Sequence, residues 1–271
     1  IDLGTSGLKC VITNLNEKIV FSTSTKLNIN QFNGNCFEQN PDDWIVALET
    51  CLYNLKLEKI DFSNIEAISF SAQMLGCIII DEHDKPIRPA ILWNDGRSYI
   101  ESQYLENNFT KELLPSGCRP NPGLLLPKLL WIKNNEPNNF KKIKKILLPK
   151  DYLKLFLTGS FSTDPSDASG TMLFDLIRKD WNQDLIDELE IDQNWLPDVH
   201  PSDKDIGKIR QTLIKKWNFN NKIKIINGAG DNAAAALGSG VFKDGEMLIT
   251  LGTSGVMIMA MDNFNPMVQH N

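Results

Sequence analysis

The sequence is poor in the residues that build metal sites and disulfide frameworks. Its 271 residues include five cysteines and three histidines, and no two cysteines have the C-x-x-C spacing. A structural zinc site is therefore not predicted. Reduced thiols in a cytosolic protein are the simpler interpretation of an odd, widely scattered set of cysteines.

The sequence also lacks a surplus of basic residues and any long apolar run. It has 28 Lys+Arg against 34 Asp+Glu, a formal net charge of −6, whereas a protein that binds nucleic-acid phosphates usually carries a basic surplus. No apolar run approaches the roughly 18 residues of a membrane span. At 42% hydrophobic and 23% charged residues, the composition is that of a globular protein rather than a disordered chain. We therefore expect neither a nucleic-acid nor a membrane partner.

One glycine-rich pentapeptide occurs twice. Leu-Gly-Thr-Ser-Gly stands at 3–7 and again at 251–255, each time between apolar β-forming residues. Glycine permits positive φ and close approach of a ligand, and successive N–H groups in such a turn can bind an anion. A plain hairpin turn is the alternative for each copy. The repetition favours two related halves that hold a polyphosphate between them, although the spacing is not that of a Walker loop.

Two charged residues flank the first pentapeptide. Asp2 precedes it directly, and its carboxylate would repel phosphate unless a cation lies between them. This predicts Mg²⁺ near Asp2, held largely through water. Lys9 follows the turn and adds positive charge near the same phosphates, with an exposed strand lysine as an equally good interpretation.

A second glycine-rich segment, Gly-Ala-Gly-Asp-Asn at 228–232, precedes a run of four alanines. The pattern predicts a strand that ends at a helix, with Asp231 at the corner. One interpretation makes Asp231 the N-cap of that helix. The other makes it a displayed carboxylate that accepts the proton of an attacking hydroxyl in phosphoryl transfer.

The remaining elements alternate between strands and helices, which predicts an α/β fold. A helix should begin at Pro41 after the cap Asn40, with its apolar residues on one face. Another should open at Pro149 and stop at Gly159.

Taken in order, several motifs resemble those of the FGGY carbohydrate kinases, and within that family those of the xylulokinases. The motifs, which run through the whole chain, are IDLGTSGLK at 1–9, SAQMLG at 71–76, ILWNDGR at 91–97, PKLLW at 127–131, LLPKDYL at 147–153, SDASGTM at 166–172, GAGDN at 228–232 and LGTSG at 251–255.

The resemblance implies an α/β, actin-like ATPase (ribonuclease H-like) domain with a mixed sheet and flanking helices. We expect this domain to occupy 1–243 and a second actin-like domain to begin at 244–271. The implied activity is transfer of the γ-phosphoryl group of ATP, with Mg²⁺, to a hydroxyl of a small sugar. D-Xylulose, giving D-xylulose 5-phosphate, is the first candidate, and ribulose, glycerol or another ketose or polyol is the alternative. A homodimer is left open.

The resemblance also implies roles for individual residues. Asp231 matches the catalytic base, Asn232 its sugar-contacting neighbour, and Asp2 the catalytic aspartate near Mg²⁺. The residues that match the two phosphate-binding loops are Thr5, Ser6 and Lys9 in the first and Gly252 and Thr253 in the second. Those in segments near the sugar are Gln73, Met74, Leu75, Trp93, Asn94, Asp95 and Arg97.

The sequence departs from the family pattern at two positions. Leu75 stands where xylulokinases typically have histidine, and Leu125 where the family signature has a small polar residue. An actin-like ATPase without a sugar substrate is the rival from another class, but it has no reason to carry the motifs at 71–76 and 91–97. Because family members are substantially longer and the chain opens on Ile1, we expect a fragment that is inactive alone.

Overall fold

The computed structural model describes residues 1–251 and 255–263, which form the mixed α/β fold that the sequence predicts. The strands are β1 (Asp2–Leu3), β2 (Gly7–Thr13), β3 (Ile19–Lys26), β4 (Asn30–Phe32), β5 (Cys36–Gln39), β6 (Ala67–Ile68), β7 (Ser71–Ala72), β8 (Ile78–Ile80), β9 (Ala90–Ile91), β10 (Lys145–Leu147), β11 (Ser162–Thr163), β12 (Phe174–Asp175), β13 (Asp180–Trp181), β14 (Asp198–Val199), β15 (Lys224–Ile225), β16 (Ala229–Gly230), β17 (Met247–Leu251) and β18 (Gly255–Met259).

The helices are α1 (Pro41–Leu57), α2 (Tyr99–Asn108), α3 (Thr110–Leu113), α4 (Leu125–Asn135), α5 (Pro137–Phe140), α6 (Pro149–Thr158), α7 (Pro165–Ser169), α8 (Gln183–Glu188), α9 (Gln211–Trp217) and α10 (Asp231–Gly238). Among the residues that the structure describes, none of these helices is both long enough and apolar enough to span a membrane.

The central sheet has the order β16-β7-β1-β2-β3. Strands β1, β2 and β3 are antiparallel neighbours, while β7 pairs in parallel with β1 and β16 in parallel with β7. Because β1, β7 and β16 run the same way, their carboxyl ends lie at one edge of the sheet. Leu3, Ala72 and Gly230 are in register there. In open α/β sheets this edge is where ligands bind.

A one-residue irregularity precedes β16. Strand β15 pairs in parallel with β6, and between the two paired segments the chain has three residues, 226–228, opposite the two residues 69–70. The extra residue is accommodated at Gly228, whose φ is 78°. A Cβ there would lie 2.2 Å from the carbonyl oxygen of Phe70, so only glycine fits.

Helix α1 packs its apolar face against the sheet. Asn40 caps it as predicted, because its side chain accepts a hydrogen bond from the N–H of Asp42 at 3.2 Å. Trp44, Leu48 and Cys51, at helical spacing, are fully buried. They belong to a core that also contains residues of β1, β2, α6 and α9.

Helix α6 also has the predicted limits. Pro149 is its first residue, and Gly159 ends it in the left-handed conformation with a φ of 82°. A feature that the sequence pattern does not predict is that Lys150 and Lys154 are fully buried in this helix.

The strands on either side of the second pentapeptide pair as a hairpin. Strands β17 and β18 are antiparallel, and Leu251 is in register with Gly255. Gly252 and Thr253, assigned from the sequence to the second phosphate loop, lie outside the described residues. The division into domains at 1–243 and 244–271 stays a prediction.

Candidate active site

The first pentapeptide forms the predicted turn at the edge where β1 ends. The N–H of Gly4 donates to the carbonyl oxygen of Gly7 at 2.9 Å and closes the turn. Within the described part of the chain, the N–H groups of Thr5 and Ser6 have no hydrogen-bond acceptor. Free successive N–H groups are the arrangement that binds anions.

Trp93 comes to this turn from a distant part of the sequence. Its indole Nε1 donates to Thr5 Oγ1 at 2.9 Å, although 88 residues separate them along the chain. Trp93 is 42% exposed, so it is not the core residue that a tryptophan usually is. The structure therefore brings a residue assigned to the sugar together with one assigned to phosphate.

Asp2 and Lys9 are register partners across the β1–β2 pair, and both side chains are exposed. Asp2 is also in register with Ser71 of β7, which in turn pairs with Ala229 of β16. The carboxylate of Asp2 thus lies near the strand end that leads to Asp231.

Asp231 is the first residue of α10, and Gly230 is its N-cap, so the predicted capping role of Asp231 is wrong. Its carboxyl group is half-buried. Burial raises its pKa, the N–H of Asn232 partly offsets this, and the negative charge of Asp2 raises the pKa further. The corner thus displays a carboxylate that caps nothing and is a stronger base than an ordinary aspartate.

The backbone beside Asp231 is fixed from two sides. The N–H of Gly230 donates to Ser166 Oγ at 3.0 Å. On the other side Met74 packs so closely that a Cβ at position 230 would lie 2.7 Å from its side chain. Asn232 Nδ2 lies 3.8 Å from the sulfur of Met74. Two residues assigned to the sugar, Asn232 and Met74, are therefore in contact next to Asp231.

Residues 73–75 follow β7 into the same edge. Gln73 is buried, and its N–H donates to the carbonyl oxygen of Leu3 at 2.8 Å. Leu75 has a φ of 67°, which is unusual for a residue with a branched side chain. Its carbonyl oxygen accepts a hydrogen bond from Lys128 Nζ at 2.8 Å, and its side chain touches Gly170, where a Cβ would lie 2.3 Å away.

Lys128, which the sequence places only in a motif, is fully buried at this corner. Its Nζ donates to two carbonyl oxygens, those of Leu75 and, at 2.6 Å, Gly123. Burial without an adjacent carboxylate lowers its pKa to about 7.

Asp95 and Arg97 form an internal ion pair. Asp95 is 1% exposed, and its oxygens accept hydrogen bonds from the N–H of Phe37 at 2.6 Å and from the guanidinium of Arg97 at 2.7 and 2.8 Å. Arg97 also contacts Glu38 at 2.7 Å and stacks 5.0 Å from the ring centre of Trp131. Arg97 is thus an ion-pair partner, but a buried one. A direct contact of Asp95 with sugar stays a prediction.

Sequence reasoning missed a buried ion cluster behind Asp231. Lys150 Nζ lies 3.0, 2.9 and 3.4 Å from carboxylate oxygens of Asp151, Asp164 and Asp167, and Lys154 Nζ lies 3.0 Å from Asp151. All five side chains are fully buried. Three of the five residues, Lys150, Asp151 and Asp167, lie within the motifs at 147–153 and 166–172, but nothing in those motifs indicates burial.

The hydroxyl group of Ser166 connects the cluster to the Asp231 corner by hydrogen bonds. Asp164 Oδ2 accepts from Ser166 Oγ at 2.6 Å, and that same oxygen of Ser166 accepts from Gly230 N–H.

The acidic groups at the edge suit the binding of a hydrated Mg²⁺ rather than the enclosure of a bare ion by protein ligands. In the described residues no group of three or more Cys, His, Asp and Glu side chains is arranged to hold a metal ion. Mg²⁺ typically uses one or two carboxylates together with water and substrate phosphates. The exposed Asp2, whose charge acts on Asp231, provides such a carboxylate.

Comparison with known proteins shows the family and the fold. The N-terminal domain of the FGGY family of carbohydrate kinases matches residues 1–238. A xylulose kinase from Lactococcus lactis is 39% identical over 259 residues, which are 95% of this chain and 52% of that protein. The solved structure of a xylulose kinase from Brucella ovis has a TM-score of 0.91 at 36% identity and covers 94% of this chain and 53% of its own.

A gluconate kinase structure from Lactobacillus acidophilus has a TM-score of 0.89 at 30% identity, over 94% of this chain and 52% of its own. The chain spans about half the length of the relatives it matches. The predicted resemblance is confirmed: the chain belongs to the FGGY family of carbohydrate kinases and has their actin-like ATPase fold.

Proposed function

We propose that this chain is the sugar-binding and base-bearing part of an ATP-dependent sugar kinase. The observation that carries the proposal is the carboxylate of Asp231. It is half-buried, has a raised pKa and caps no helix, and it stands at the sheet edge that also holds the free N–H groups of Thr5 and Ser6. One edge thus offers a base for a hydroxyl and donors for a phosphate.

D-Xylulose is the proposed acceptor. The relatives named xylulose kinases support this choice, and the gluconate kinase relative makes other sugars and polyols the alternatives to compare. Leu75 presents an apolar side chain beside Met74. A panel of ketoses, polyols and sugar acids therefore tests the acceptor directly.

In the proposed mechanism Asp231 orients the sugar hydroxyl and accepts its proton as the oxygen attacks the γ-phosphorus of ATP. The bond from that phosphorus to the β–γ bridging oxygen breaks, and ADP leaves. A raised pKa suits this role, because a general base works best when its pKa approaches the working pH. Thr5 and Ser6 N–H groups hold phosphate oxygens, and Lys9 adds positive charge. Asp2 would hold Mg²⁺ through water, and the ion would neutralise phosphate charge when bound. Thr253 of the second pentapeptide is proposed to contact the phosphates as well.

The test is Asp231→Asn in a complete kinase that contains this chain. We expect kcat for sugar phosphorylation to fall by about 10²- to 10⁴-fold, since the amide cannot accept the proton. Sugar binding, measured by the fluorescence change of Trp93, should persist. Asp184→Asn, an exposed aspartate of α8, is the control and should leave kcat unchanged. Full turnover by Asp231→Asn contradicts the proposed base. Sugar-independent ATP hydrolysis by the wild type favours an ATPase without a sugar substrate.

A further inference from the structure

Gln39 lies between the two groups of candidate site residues, although neither its sequence context nor the proposed chemistry assigns it a role. It is the last residue of β5, directly before the α1 cap, and it is 3% exposed. A buried primary amide has to satisfy two donors and two acceptor positions within the protein.

All four positions are filled. Gln39 Oε1 accepts from Trp44 Nε1 at 3.1 Å and from Gln73 Nε2 at 3.0 Å. Its Nε2 donates to the carbonyl oxygen of Thr5 at 2.7 Å and to that of Asn28 at 3.2 Å. An indole N–H can only donate and a carbonyl oxygen can only accept, so these neighbours fix which end of the amide faces Thr5.

Thr5 is consequently held at both of its oxygens. Gln39 holds its carbonyl oxygen, and Trp93 holds its hydroxyl oxygen. Gln73 lies behind Gln39, so both hydrogen bonds lead from Thr5 to residues that the family resemblance places near the sugar. The carbonyl group of Thr5 and the N–H of Ser6 form one peptide unit, so the bond from Gln39 orients that N–H, while the bond from Trp93 fixes the side chain of Thr5.

We propose that Gln39 is a positioning residue that couples the sugar segment at Gln73 to the phosphate-binding turn at Thr5. The inference rests on the proposed function, because it takes Gln73 as sugar-side and Thr5 as phosphate-side. Phosphoryl transfer depends chiefly on alignment of the reacting groups. Loosening Thr5 should therefore lower kcat and the stimulation of ATP hydrolysis by sugar, and should change the KM for sugar little.

The sharpest variant is Gln39→Glu. It keeps the shape of the side chain but replaces the amide donor with a carboxylate oxygen that faces the carbonyl oxygen of Thr5. In a complete kinase that contains this chain, we expect sugar-stimulated ATP turnover to fall about 10- to 100-fold at pH 8. A protonated carboxyl has one O–H and can donate to Thr5 again, so the loss should shrink as the pH falls toward 6. Because a buried carboxylate also destabilises the fold until it is protonated, urea midpoints of the variant at pH 8 and pH 6 are measured alongside, and the loss of stimulation is read only where the variant is folded.

Trp44→Phe is the matched control. It removes the other hydrogen bond on Gln39 Oε1 but leaves the contact with Thr5 in place. We expect lower stability with sugar stimulation retained within about threefold. Trp93→Phe, at a half-exposed position that should not affect folding, removes the second bond to Thr5 and should reduce stimulation in its own right.

Backbone amide resonances separate this inference from the proposed function. In the 271-residue chain, Gln39→Glu should shift the amide resonances of Thr5 and Ser6, and Trp44→Phe should not. Unchanged signals at both amides overturn the inference whether or not the kinase phosphorylates a sugar. Full sugar stimulation in Gln39→Glu at pH 8, or an equal loss in Trp44→Phe, overturns it as well. A wild type without sugar-dependent turnover contradicts the proposed function alone.

Discussion

Two fully buried lysines support opposite sides of the candidate site, and they do so in different ways. Lys150 stands behind Asp231 among three aspartates, whereas Lys128 stands behind Leu75 and contacts two carbonyl oxygens. Burial opposes the charge of both amines. At Lys150 the effect of the three carboxylates outweighs that of burial, and the pKa is raised. At Lys128 no neighbouring group outweighs burial, and the pKa falls to about 7.

The comparison shows that the partners of a buried amine, and not its depth, decide its charge. A neutral amine has two N–H donors, which match the two carbonyl oxygens at Lys128 and leave no proton unpaired. An ammonium also carries a positive charge, which the three carboxylates within 3.4 Å of Lys150 Nζ compensate. Lys150 therefore acts as a charge that holds Asp164, and through Ser166 the Gly230 corner. Lys128 acts as a hydrogen-bond donor that holds the strained backbone of Leu75.

The largest expected effect is that of Lys150→Met. Removal of the cation leaves buried carboxylates without compensation, which costs about 3–5 kcal/mol of unfolding free energy. Lys133→Met is the control, because its ion pair with Glu190 is exposed to solvent and should contribute at most about 1 kcal/mol. Urea unfolding followed by circular dichroism measures both. Equal urea midpoints for the two variants would mean that the buried cluster contributes no more to stability than a surface ion pair does.

A smaller effect, with a pH signature, is expected for Lys128. Its pKa in the folded chain lies below that of the unfolded chain, so the unfolded state binds more protons between about pH 7 and 10.5. Stability from this group therefore rises with pH across that window, by about 1.4 kcal/mol per unit. Below pH 7 the folded state carries a buried ammonium with one N–H unpaired.

Lys128→Met tests this assignment. The variant lacks the titrating group, so the wild type should gain about 2–3 kcal/mol relative to it between pH 6 and pH 9. The measurement is the urea midpoint of each protein at the two pH values. Lys150→Arg is the control, because it changes another buried lysine but keeps the positive charge. A difference between wild type and Lys128→Met that is independent of pH would mean that Lys128 stays charged when folded.

The sequence predicted the residues that face the site better than the residues that hold them in place. Glycine turns, caps and the Asp231 corner have local signatures, because each needs a particular φ or a side chain at a fixed offset from a helix end. The start of α1, the limits of α6 and the turn at Gly4–Gly7 followed from such signals. The family resemblance, now confirmed, supplied the fold that places these segments together.

The supporting residues have no such signature. Gln39, Ser166 and Lys128 acquire their roles from partners 34 to 64 residues away along the chain. A charged residue such as Lys150 in an amphipathic pattern ordinarily predicts an exposed helix face. Only the packing of α6 against α1, β7 and β11 shows that the face is buried. The N-cap interpretation of Asp231 failed for a related reason, since Gly230 is fixed by Ser166 and Met74 rather than by its own helix.

The smallest effect expected lies within the Lys150 cluster itself. Two lysines face three aspartates there, so full ionisation leaves one buried negative charge in excess. Burial and the charges of Asp151 and Asp164 raise the pKa of Asp167 to about 7, with Lys150 opposing them. Both oxygens of Asp167 also lack a hydrogen-bond donor within the described chain.

Because the folded-state pKa of Asp167 is raised above its unfolded value of 3.8, the folded chain binds the extra proton between pH 3.8 and about 7. Its contribution to stability therefore falls as the pH rises through that window, opposite in sign to the contribution of Lys128. Asp167→Asn keeps the shape and removes the titration. We expect the variant to gain about 1 kcal/mol over the wild type between pH 6 and pH 8. A difference between variant and wild type that is the same at pH 6 and pH 8 would mean that Asp167 is already ionised in the folded chain and that the ion pair with Lys150 outweighs its burial.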